Sequence, residues 1–101
     1  MKNKKNKVYI SGQITGKEEE AKREFKNIEL ELLSDGYDVI NPFDLNHNHN
    51  KTWLEYMRVD IIALMGCDYI CMIDGWEKSR GAIIEKELAE KLGIKVLLSG
   101  Y

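Results

Sequence analysis

Residues 7–36, KVYISGQITGKEEEAKREFKNIELELLSDG, decide the fold class of this 101-residue chain. The segment starts with a short run of β-branched and aromatic residues, which predicts a strand, and continues into a loop that contains two glycines. From Glu18 to Ser34 apolar residues recur every three or four positions, which predicts an amphipathic helix. The pair Asp35-Gly36 ends that helix. One strand, one loop and one helix are therefore predicted in this order.

The rest of the chain continues the same alternation of strands and helices. The later strands are predicted at YDVINP (37–42), DYICMID (68–74) and IKVLL (94–98), the later helices at 52–65 and 79–92 with Thr52 and Ser79 as N-caps, and a polar loop at 44–51. The order βαβαβαβ is typical of an α/β fold with helices on both faces of a parallel sheet. We therefore expect a single doubly wound, flavodoxin-like (Rossmann-like) three-layer domain that spans residues 1–101, with a four- to five-stranded parallel sheet.

The composition excludes several classes of protein. The chain is 44% hydrophobic and 32% charged with one proline, which is typical of a folded domain, and its net charge of -2 does not favour nucleic acid as a partner. The basic residues within 1–6 predict a disordered tail in preference to a nucleic-acid-binding arm. The sequence has no apolar run of about 18 residues and no secretory leader, so we expect no membrane association and a cytoplasmic location. Cys67 and Cys71 have the spacing of neither a disulfide framework nor a zinc knuckle, and we expect buried thiols.

The predicted topology also indicates where a ligand would bind. In such sheets the ligand lies beyond the carboxyl ends of the strands, where the strand order reverses. If the first strand is central, the crevice opens between the first and third strands. The residues that this placement delivers to the crevice are Ser11, Gly12, Gln13, Ile14, Thr15 and Gly16 after the first strand, Asn41 after the second, and Asp74, Trp76, Ser79, Arg80 and Gly81 after the third. The start of the third helix could also receive an anion, because its backbone N–H groups point outward there.

Two carboxylates occupy positions where helical periodicity predicts burial. Glu85 is the only charge on the apolar side of the third helix, and Asp60 shares its sector of the second helix with Trp53, Tyr56 and Met57. A buried, unpaired carboxylate is costly, so each position needs hydrogen-bond donors, a cation or a function. A structural glutamate with satisfied hydrogen bonds would give the same pattern. Two such carboxylates beside one crevice suit acid–base or nucleophilic chemistry at a sugar carbon.

Five segments, VYISGQITG (8–16), YMRVD (56–60), CDYICMIDGW (67–76), SRGAIIEKELA (79–89) and GIKV (93–96), carry a resemblance that spans nearly the whole chain. They resemble the nucleoside 2-deoxyribosyltransferase superfamily, including its nucleotide N-hydrolase branch. The resemblance implies that Glu85 attacks C1′ of the sugar and displaces the base. It also implies that Asp60 contacts the sugar or assists the departing base as an acid, and that the hydroxyl of Tyr9 lies beside the nucleophile.

The resemblance leaves the form of the ligand open. Ser79 and Gly81 match the hydrolases, which implies a 5′-monophosphate. Thr15 stands where the hydrolases carry a phosphate-binding arginine, and Arg80 is a candidate substitute for that arginine. Trp76 is placed either to stack on the base or to close the edge of the strand.

The function implied by the resemblance is cleavage or transfer of the N-glycosidic bond of a (deoxy)nucleoside or its 5′-monophosphate, through a covalent glycosyl-Glu85 intermediate and without a cofactor. The alternative is a nucleotide-binding protein that senses or sequesters its ligand without catalysis. His47 and His49 lack the further ligands that a metal requires, so we predict no metal site and a polar loop over the cleft. A second apolar face on the second helix, formed by Leu54, Ile62 and Met65, predicts a homodimer or a higher homo-oligomer.

Overall fold

The computed structural model describes residues 6–47 and 52–99. Residues 1–5 of the predicted tail, and His49 of the predicted loop, lie outside this range. Asn6, the last residue of the predicted tail, is hydrogen-bonded: its side-chain amide donates to the carbonyl of Gly36 at 2.9 Å, and its carbonyl accepts from the backbone N–H of Asp38 at 3.1 Å.

The described residues form four strands and three helices in the predicted order. They are β1 (Lys7–Ser11), α1 (Glu18–Ser34), β2 (Asp38–Ile40), α2 (Trp53–Met65), β3 (Tyr69–Met72), α3 (Arg80–Leu92) and β4 (Lys95–Leu98), with short 3-10 turns at Pro42–Asp44 and Trp76–Lys78. The strands pair in the order β2-β1-β3-β4, and every pair is parallel. The predicted α/β fold class is confirmed, with a sheet of four strands in the described part of the chain.

Alternating side chains of β1 divide the interior into two cores. Val8 and Ile10 point to one face of the sheet, where they join the cluster that contains Phe25 of α1. Tyr9 points to the opposite face, where its cluster includes Leu64 of α2 and, from α3, Ala82 and Ala89. Strand residues alternate between faces, so a strand with residues 8–11 all buried is stable only with helices on both sides of the sheet. This arrangement turns the side chains of Tyr9 and Ser11 toward α2 and α3.

Helix caps fix where α2 and α3 begin. The hydroxyl of Thr52 accepts a hydrogen bond from the backbone N–H of Glu55, and the Glu55 carboxylate accepts one from the backbone N–H of Thr52, each at 3.2 Å. This reciprocal pair is a capping box. At the start of α3, the hydroxyl of Ser79 accepts a hydrogen bond from the backbone N–H of Ala82 at 3.1 Å. Both predicted N-caps are confirmed, and the start of α3 lies beside the carboxyl end of β1.

The two cysteines are buried and free, as predicted. Burial raises the pKa of both the Cys67 and the Cys71 thiol to about 11. Such thiols stay protonated at neutral pH and have the character of small apolar residues.

Candidate functional site

A cavity of about 360 Å³ opens at the carboxyl end of β1. Its floor is formed by β1 and the loop that follows, and its walls are formed by the first turns of α1, one side of α2 and the start of α3. The volume falls in the range of small-molecule sites, about 300–1,000 Å³. The cavity therefore lies where the topology predicts a ligand, although no residue of β3 lines it.

Glu85 is the buried carboxylate at the base of this cavity. Its side chain leaves α3 toward the sheet, and the residue is only 5% exposed. One carboxylate oxygen accepts a hydrogen bond from the hydroxyl of Tyr9 at 2.9 Å, and the other accepts one from the hydroxyl of Ser11 at 2.7 Å. Tyr9 and Ser11 are two residues apart on β1, so the pleat points both hydroxyls at the same side chain. The carboxylate is thus held by a donor on each oxygen.

Burial and a neighbouring charge set the protonation state of Glu85. Desolvation is the largest cause that raises the pKa of this carboxyl from 4.5 to about 7, and the nearby Asp60 carboxylate raises it further. The hydrogen bonds from Ser11 and Tyr9 act in the opposite direction and stabilise the ionised form. At neutral pH the Glu85 carboxyl is therefore divided between its protonated and ionised forms. The pKa of Tyr9 lies well above its ordinary value, chiefly because of burial and the charge of Glu85, so its hydroxyl remains a donor.

Asp60 projects from α2 into the same cavity and is paired with a histidine. Its carboxylate lies 2.7 Å from the Nε2 atom of His47, and both side chains are 16% exposed. The imidazole ring also packs on Tyr56, with ring centroids 4.7 Å apart. Burial raises the pKa of Asp60, and the hydrogen bond and charge of His47 oppose that rise. His47 therefore holds the orientation of the Asp60 carboxyl group.

Nine of the fifteen predicted site residues line the cavity. They are Tyr9, Ser11, Gly12, Ile14, Thr15, Asp60, Ser79, Gly81 and Glu85. Two of the glycines allow close packing of the walls. A Cβ at Gly12 would lie 3.0 Å from the Cβ of Ile73, and a Cβ at Gly81 would lie 3.1 Å from the sulfur of Met57. The first loop therefore packs tightly on the residue after β3, and α3 packs tightly on α2.

Three of the other predicted site residues lie around the first two strands, outside the cavity lining. The side chain of Gln13 donates a hydrogen bond to the carbonyl of Thr15 at 3.3 Å. Gly16 is exposed in a turn with φ +89°, a backbone conformation that favours glycine. Asn41 is buried, and its side chain accepts a hydrogen bond from the backbone N–H of Phe43 and donates one to Glu29. Asn41 therefore caps the turn after β2 and does not line this cavity.

The remaining three predicted residues follow β3 and also lie outside the lining. Asp74 is exposed, and its backbone N–H donates to the hydroxyl of Ser99 at 3.1 Å. Trp76 packs against the core between the sheet and α3, with the Nζ atom of Lys86 5.1 Å from its ring, so the structure favours the strand-edge alternative over base stacking. Arg80 is exposed, and its guanidinium lies over the ring of Trp53. After Met72 the chain turns away from the cavity. The lining of the cavity therefore comes mainly from β1 and the helices.

Several lining residues were not among the predicted site residues. They are Ile10, Glu18, Phe25, Pro42, Trp53, Tyr56, Met57 and Ala82. Trp53, Tyr56 and Met57 lie on the same side of α2 as Asp60. The helical periodicity that singled out Asp60 therefore also placed these three side chains beside it. The guanidinium of Arg80 lies 4.1 Å from the ring centroid of Trp53, which supports this tryptophan from outside. Nothing in the sequence distinguished Glu18 as a site residue, because acidic residues are common in the first turn of any helix.

Comparison with known proteins gives a family for the chain. A family model described as a domain of unknown function, DUF4406, matches residues 6–98. The chain belongs to the DUF4406 family. No curated protein matches it. The matched region of this DUF4406 domain includes every strand and helix described above, and the cavity lies wholly within it.

Two further observations concern partners of this DUF4406 domain. None of the helices in the described ranges is long and apolar enough to cross a membrane. Within residues 6–47 and 52–99, no group of three His, Cys, Asp or Glu side chains is arranged to hold a metal ion.

Proposed function

We propose that this domain cleaves or transfers the N-glycosidic bond of a (deoxy)nucleoside or its 5′-monophosphate through a covalent glycosyl-Glu85 intermediate. The observation that carries the proposal is the buried Glu85 carboxylate, held by a hydroxyl donor on each oxygen inside a cavity that also contains Asp60. The likeness of five sequence segments to the nucleoside 2-deoxyribosyltransferase superfamily supports the same reading. Retaining chemistry at a glycosidic carbon uses two carboxyl groups in this way.

The first step of the proposed reaction is attack by an ionised oxygen of Glu85 on C1′ of the sugar. The new bond joins that oxygen to C1′, while the electron pair of the C1′–N bond leaves with the base. Tyr9 and Ser11 keep the carboxylate fixed, so little reorganisation is needed before attack. Because the pKa of Glu85 is about 7, the attacking form is half populated near neutral pH and dominant above it.

The departing base needs a proton, and Asp60 is the group proposed to supply it. Because its pKa is raised, Asp60 is protonated to a greater extent at neutral pH than an exposed aspartate, and it is therefore a better proton donor. His47 is proposed as a positioning residue, because its hydrogen bond fixes the carboxyl group of Asp60. The rings of Trp53 and Tyr56 form the apolar wall beside Asp60. A planar base could stack on such a wall, which typically contributes about 1–3 kcal/mol.

In the second step an acceptor attacks C1′ and releases the glycosyl group from Glu85. With water as acceptor the product is the free sugar or sugar phosphate, and with a second base it is a new nucleoside or nucleotide. In both cases the Glu85 oxygen regains its electron pair as the ester bond breaks. The acceptor loses a proton, which Asp60 can take back after its earlier donation.

A nucleotide-binding protein without catalysis is the second candidate function. The specific observation in its favour is the pKa of Glu85, about 7, since a carboxyl that is half protonated at neutral pH is a poorer nucleophile but a good hydrogen-bonding group for a ligand. Such a protein would use the same cavity and the same aromatic wall. Release of free base separates the two candidates.

The experiment is incubation of the purified protein with a panel of nucleosides and 5′-monophosphates, with free base followed by chromatography. The proposal predicts base release by the wild type, loss of release in Glu85→Gln, and ligand affinity in Glu85→Gln within a few-fold of wild type. Glu87→Gln is the matched control, because Glu87 lies on the exposed side of the same helix. Binding without base release in the wild type would favour the second candidate, and release at the wild-type rate by Glu85→Gln would exclude Glu85 as nucleophile.

We also propose that the protein acts in the cytoplasm as a homodimer or a higher homo-oligomer, through the outer face of α2. Three large apolar side chains are exposed on that face, Leu54, Ile62 and Met65, and Ile62 is 73% exposed. Exposed apolar patches of this kind often mark interfaces. Light scattering should show a dimer or a larger assembly that Ile62→Glu dissociates, and a monomeric wild type would contradict the proposal.

A further inference from the structure

The cavity has an unbalanced set of charges. Three carboxylates line it, those of Glu18, Asp60 and Glu85, and no lysine or arginine side chain of the described residues does so. The cation nearest in sequence to its first loop, Lys17, is paired with Glu24 at 3.2 Å. Any ligand that enters therefore meets acidic groups without a compensating basic side chain from the described part of the chain.

Glu18 is the acidic residue at the mouth of the cavity. It is the first residue of α1 and follows directly on the turn that contains Thr15 and Gly16. Its carboxylate accepts a hydrogen bond from the backbone N–H of Gly16 at 3.3 Å, which ties the charge to the first loop. The positive N-terminal end of α1 also favours a negative charge at this position. The Glu18 carboxylate is thus stabilised beside the loop. An anion that enters the cavity would come close to this negative charge.

Arg80, the basic residue at the start of α3, packs outside the cavity lining. The guanidinium of Arg80 stacks on Trp53, with 4.1 Å to the ring centroid, and Arg80 does not line the cavity. His47 is engaged with Asp60. Strong binding of a phosphate requires charge-assisted hydrogen bonds, most often from arginine or lysine. The described site supplies none of these side chains to its interior.

We propose that the cavity selects an uncharged ligand and that Glu18 is the residue that disfavours an anionic one, so that the substrate is a free nucleoside and not its 5′-monophosphate. This inference rests on the proposed function and narrows its substrate class. It differs from the expectation based on Ser79 and Gly81 alone, which favoured the monophosphate. It rests on the three carboxylates among the described lining residues instead of on those two positions.

The N-terminal end of α3 acts in the opposite direction. Such an end is equivalent to about half a positive charge and attracts anions. A phosphate monoester carries about -1.5 to -2 at neutral pH, so one helix end offsets only a fraction of it. The hydroxyl of Ser79 already accepts the hydrogen bond from the backbone N–H of Ala82. The N-terminal end of α3 therefore offsets only part of the negative charge of a monophosphate, which would lie among three carboxylates.

The test is the ratio of kcat/KM for a deoxynucleoside to that for its 5′-monophosphate, measured for the wild type and for charge variants. We expect the wild type to favour the nucleoside by about 10-fold or more, as like charges at partly screened separations predict. Glu18→Lys should reduce or invert that ratio, and Glu18→Gln should give an intermediate value. Glu19→Lys is the matched control, because Glu19 carries the same charge in the same helical turn but does not line the cavity.

The outcomes distinguish this inference from the proposed function. A wild type that releases base faster from the monophosphate, or equal shifts in Glu18→Lys and Glu19→Lys, would overturn the inference while the proposed chemistry stands. If neither compound yields free base, calorimetric titration of the same two compounds decides. Tighter binding of the nucleoside, lost in Glu18→Lys, would support the charge selection without catalysis, and equal, reversed or absent binding would overturn it.

Discussion

Replacing Glu85 with glutamine should stabilise the folded protein at neutral and alkaline pH, although it removes the proposed nucleophile. In the folded state burial raises the pKa of this carboxyl from 4.5 to about 7. Below pH 4.5 the group is protonated in both the folded and the unfolded chain. As pH rises from 4.5 to 7, the unfolded chain loses the proton first, so the free energy of unfolding falls. Above pH 7 the loss is complete and constant.

The size of the effect follows from the pKa of Glu85. Each tenfold change in the acid dissociation constant corresponds to about 1.4 kcal/mol, so a rise from 4.5 to about 7 costs on the order of 3 kcal/mol of stability. Glutamine carries no charge at any pH, and its side-chain oxygen can still accept a hydrogen bond from a neighbouring hydroxyl. Glu85→Gln should therefore match the wild type near pH 4.5 and exceed it by up to about 3 kcal/mol above pH 7.

The assay is urea and thermal denaturation of the wild type and Glu85→Gln at a series of pH values between 4.5 and 8.5. For a domain of this size, a change of about 3 kcal/mol moves Tm by on the order of 10 °C. Glu87→Gln controls for the loss of a carboxylate from the exposed side of α3 and should show no pH-dependent gain. A difference between Glu85→Gln and wild type that stays constant with pH, or a variant that is less stable at pH 8, would show that the Glu85 carboxyl does not destabilise the folded state when ionised.

Three further predictions follow from hydrogen bonds of the site and of α2. Tyr9→Phe removes a donor from the Glu85 carboxylate and should move the acidic limb of the pH–rate profile upward by about one to two pH units, because a hydrogen bond to a charged group contributes about 1.5–3 kcal/mol; an unchanged limb would argue against that bond. His47→Ala removes a group that lowers the pKa of Asp60, so NMR titration should show a higher pKa for that carboxyl and turnover should fall, whereas an unaltered titration would contradict the pairing. Thr52→Ala should cost about 1 kcal/mol in urea denaturation because the capping box is lost, and no change would show that the box is not formed in solution.

The helices were predictable because their ends have strong local signals. Asp35-Gly36 closes α1, whose predicted range 18–34 is the observed one, and Thr52 and Ser79 cap α2 and α3 as expected. The strand predicted at 7–11 is observed with those bounds, whereas the other three were predicted too long. The run 68–74 contains only four residues of β3, Tyr69–Met72, and 37–42 contains only three of β2. An apolar run shows that a segment is buried, but its pairing length depends on the neighbouring strand.

The burial of Glu85 and the partial burial of Asp60 were predictable from periodicity, whereas periodicity does not identify their partners; of these, only Tyr9 was expected beside Glu85, and that from the resemblance. A helical wheel shows that Glu85 and Asp60 face apolar surroundings, because the wheel depends only on spacing within each helix. The donors to Glu85 come from β1, more than seventy residues away, and the pairing of His47 with Asp60 depends on the path of a loop. Loop paths are set by tertiary contacts that local sequence does not specify.

The residues after β3 also follow a path that the local sequence does not specify. Trp76 and Asp74 were placed in the crevice because they follow a strand whose carboxyl end faces it. In the structure the chain leaves the sheet after Met72 and forms a short 3-10 turn at Trp76–Lys78. Trp76 packs against the core, and Asp74 is exposed. The direction of such a turn is not encoded by hydrophobic spacing. The cavity is therefore built mainly from β1 and the helices.

The central claim is that an oxygen of Glu85 forms a bond to C1′ of a sugar. The most direct measurement is mass spectrometry of the protein quenched during turnover of a nucleoside with fluorine at its 2′ position, a substituent that destabilises the oxocarbenium-like state and slows release of the glycosyl group. We expect an increase in intact mass equal to one glycosyl group, located by peptide mapping at Glu85 and absent in Glu85→Gln. A glycosyl group found on another residue, or the same adduct in Glu85→Gln, would contradict it.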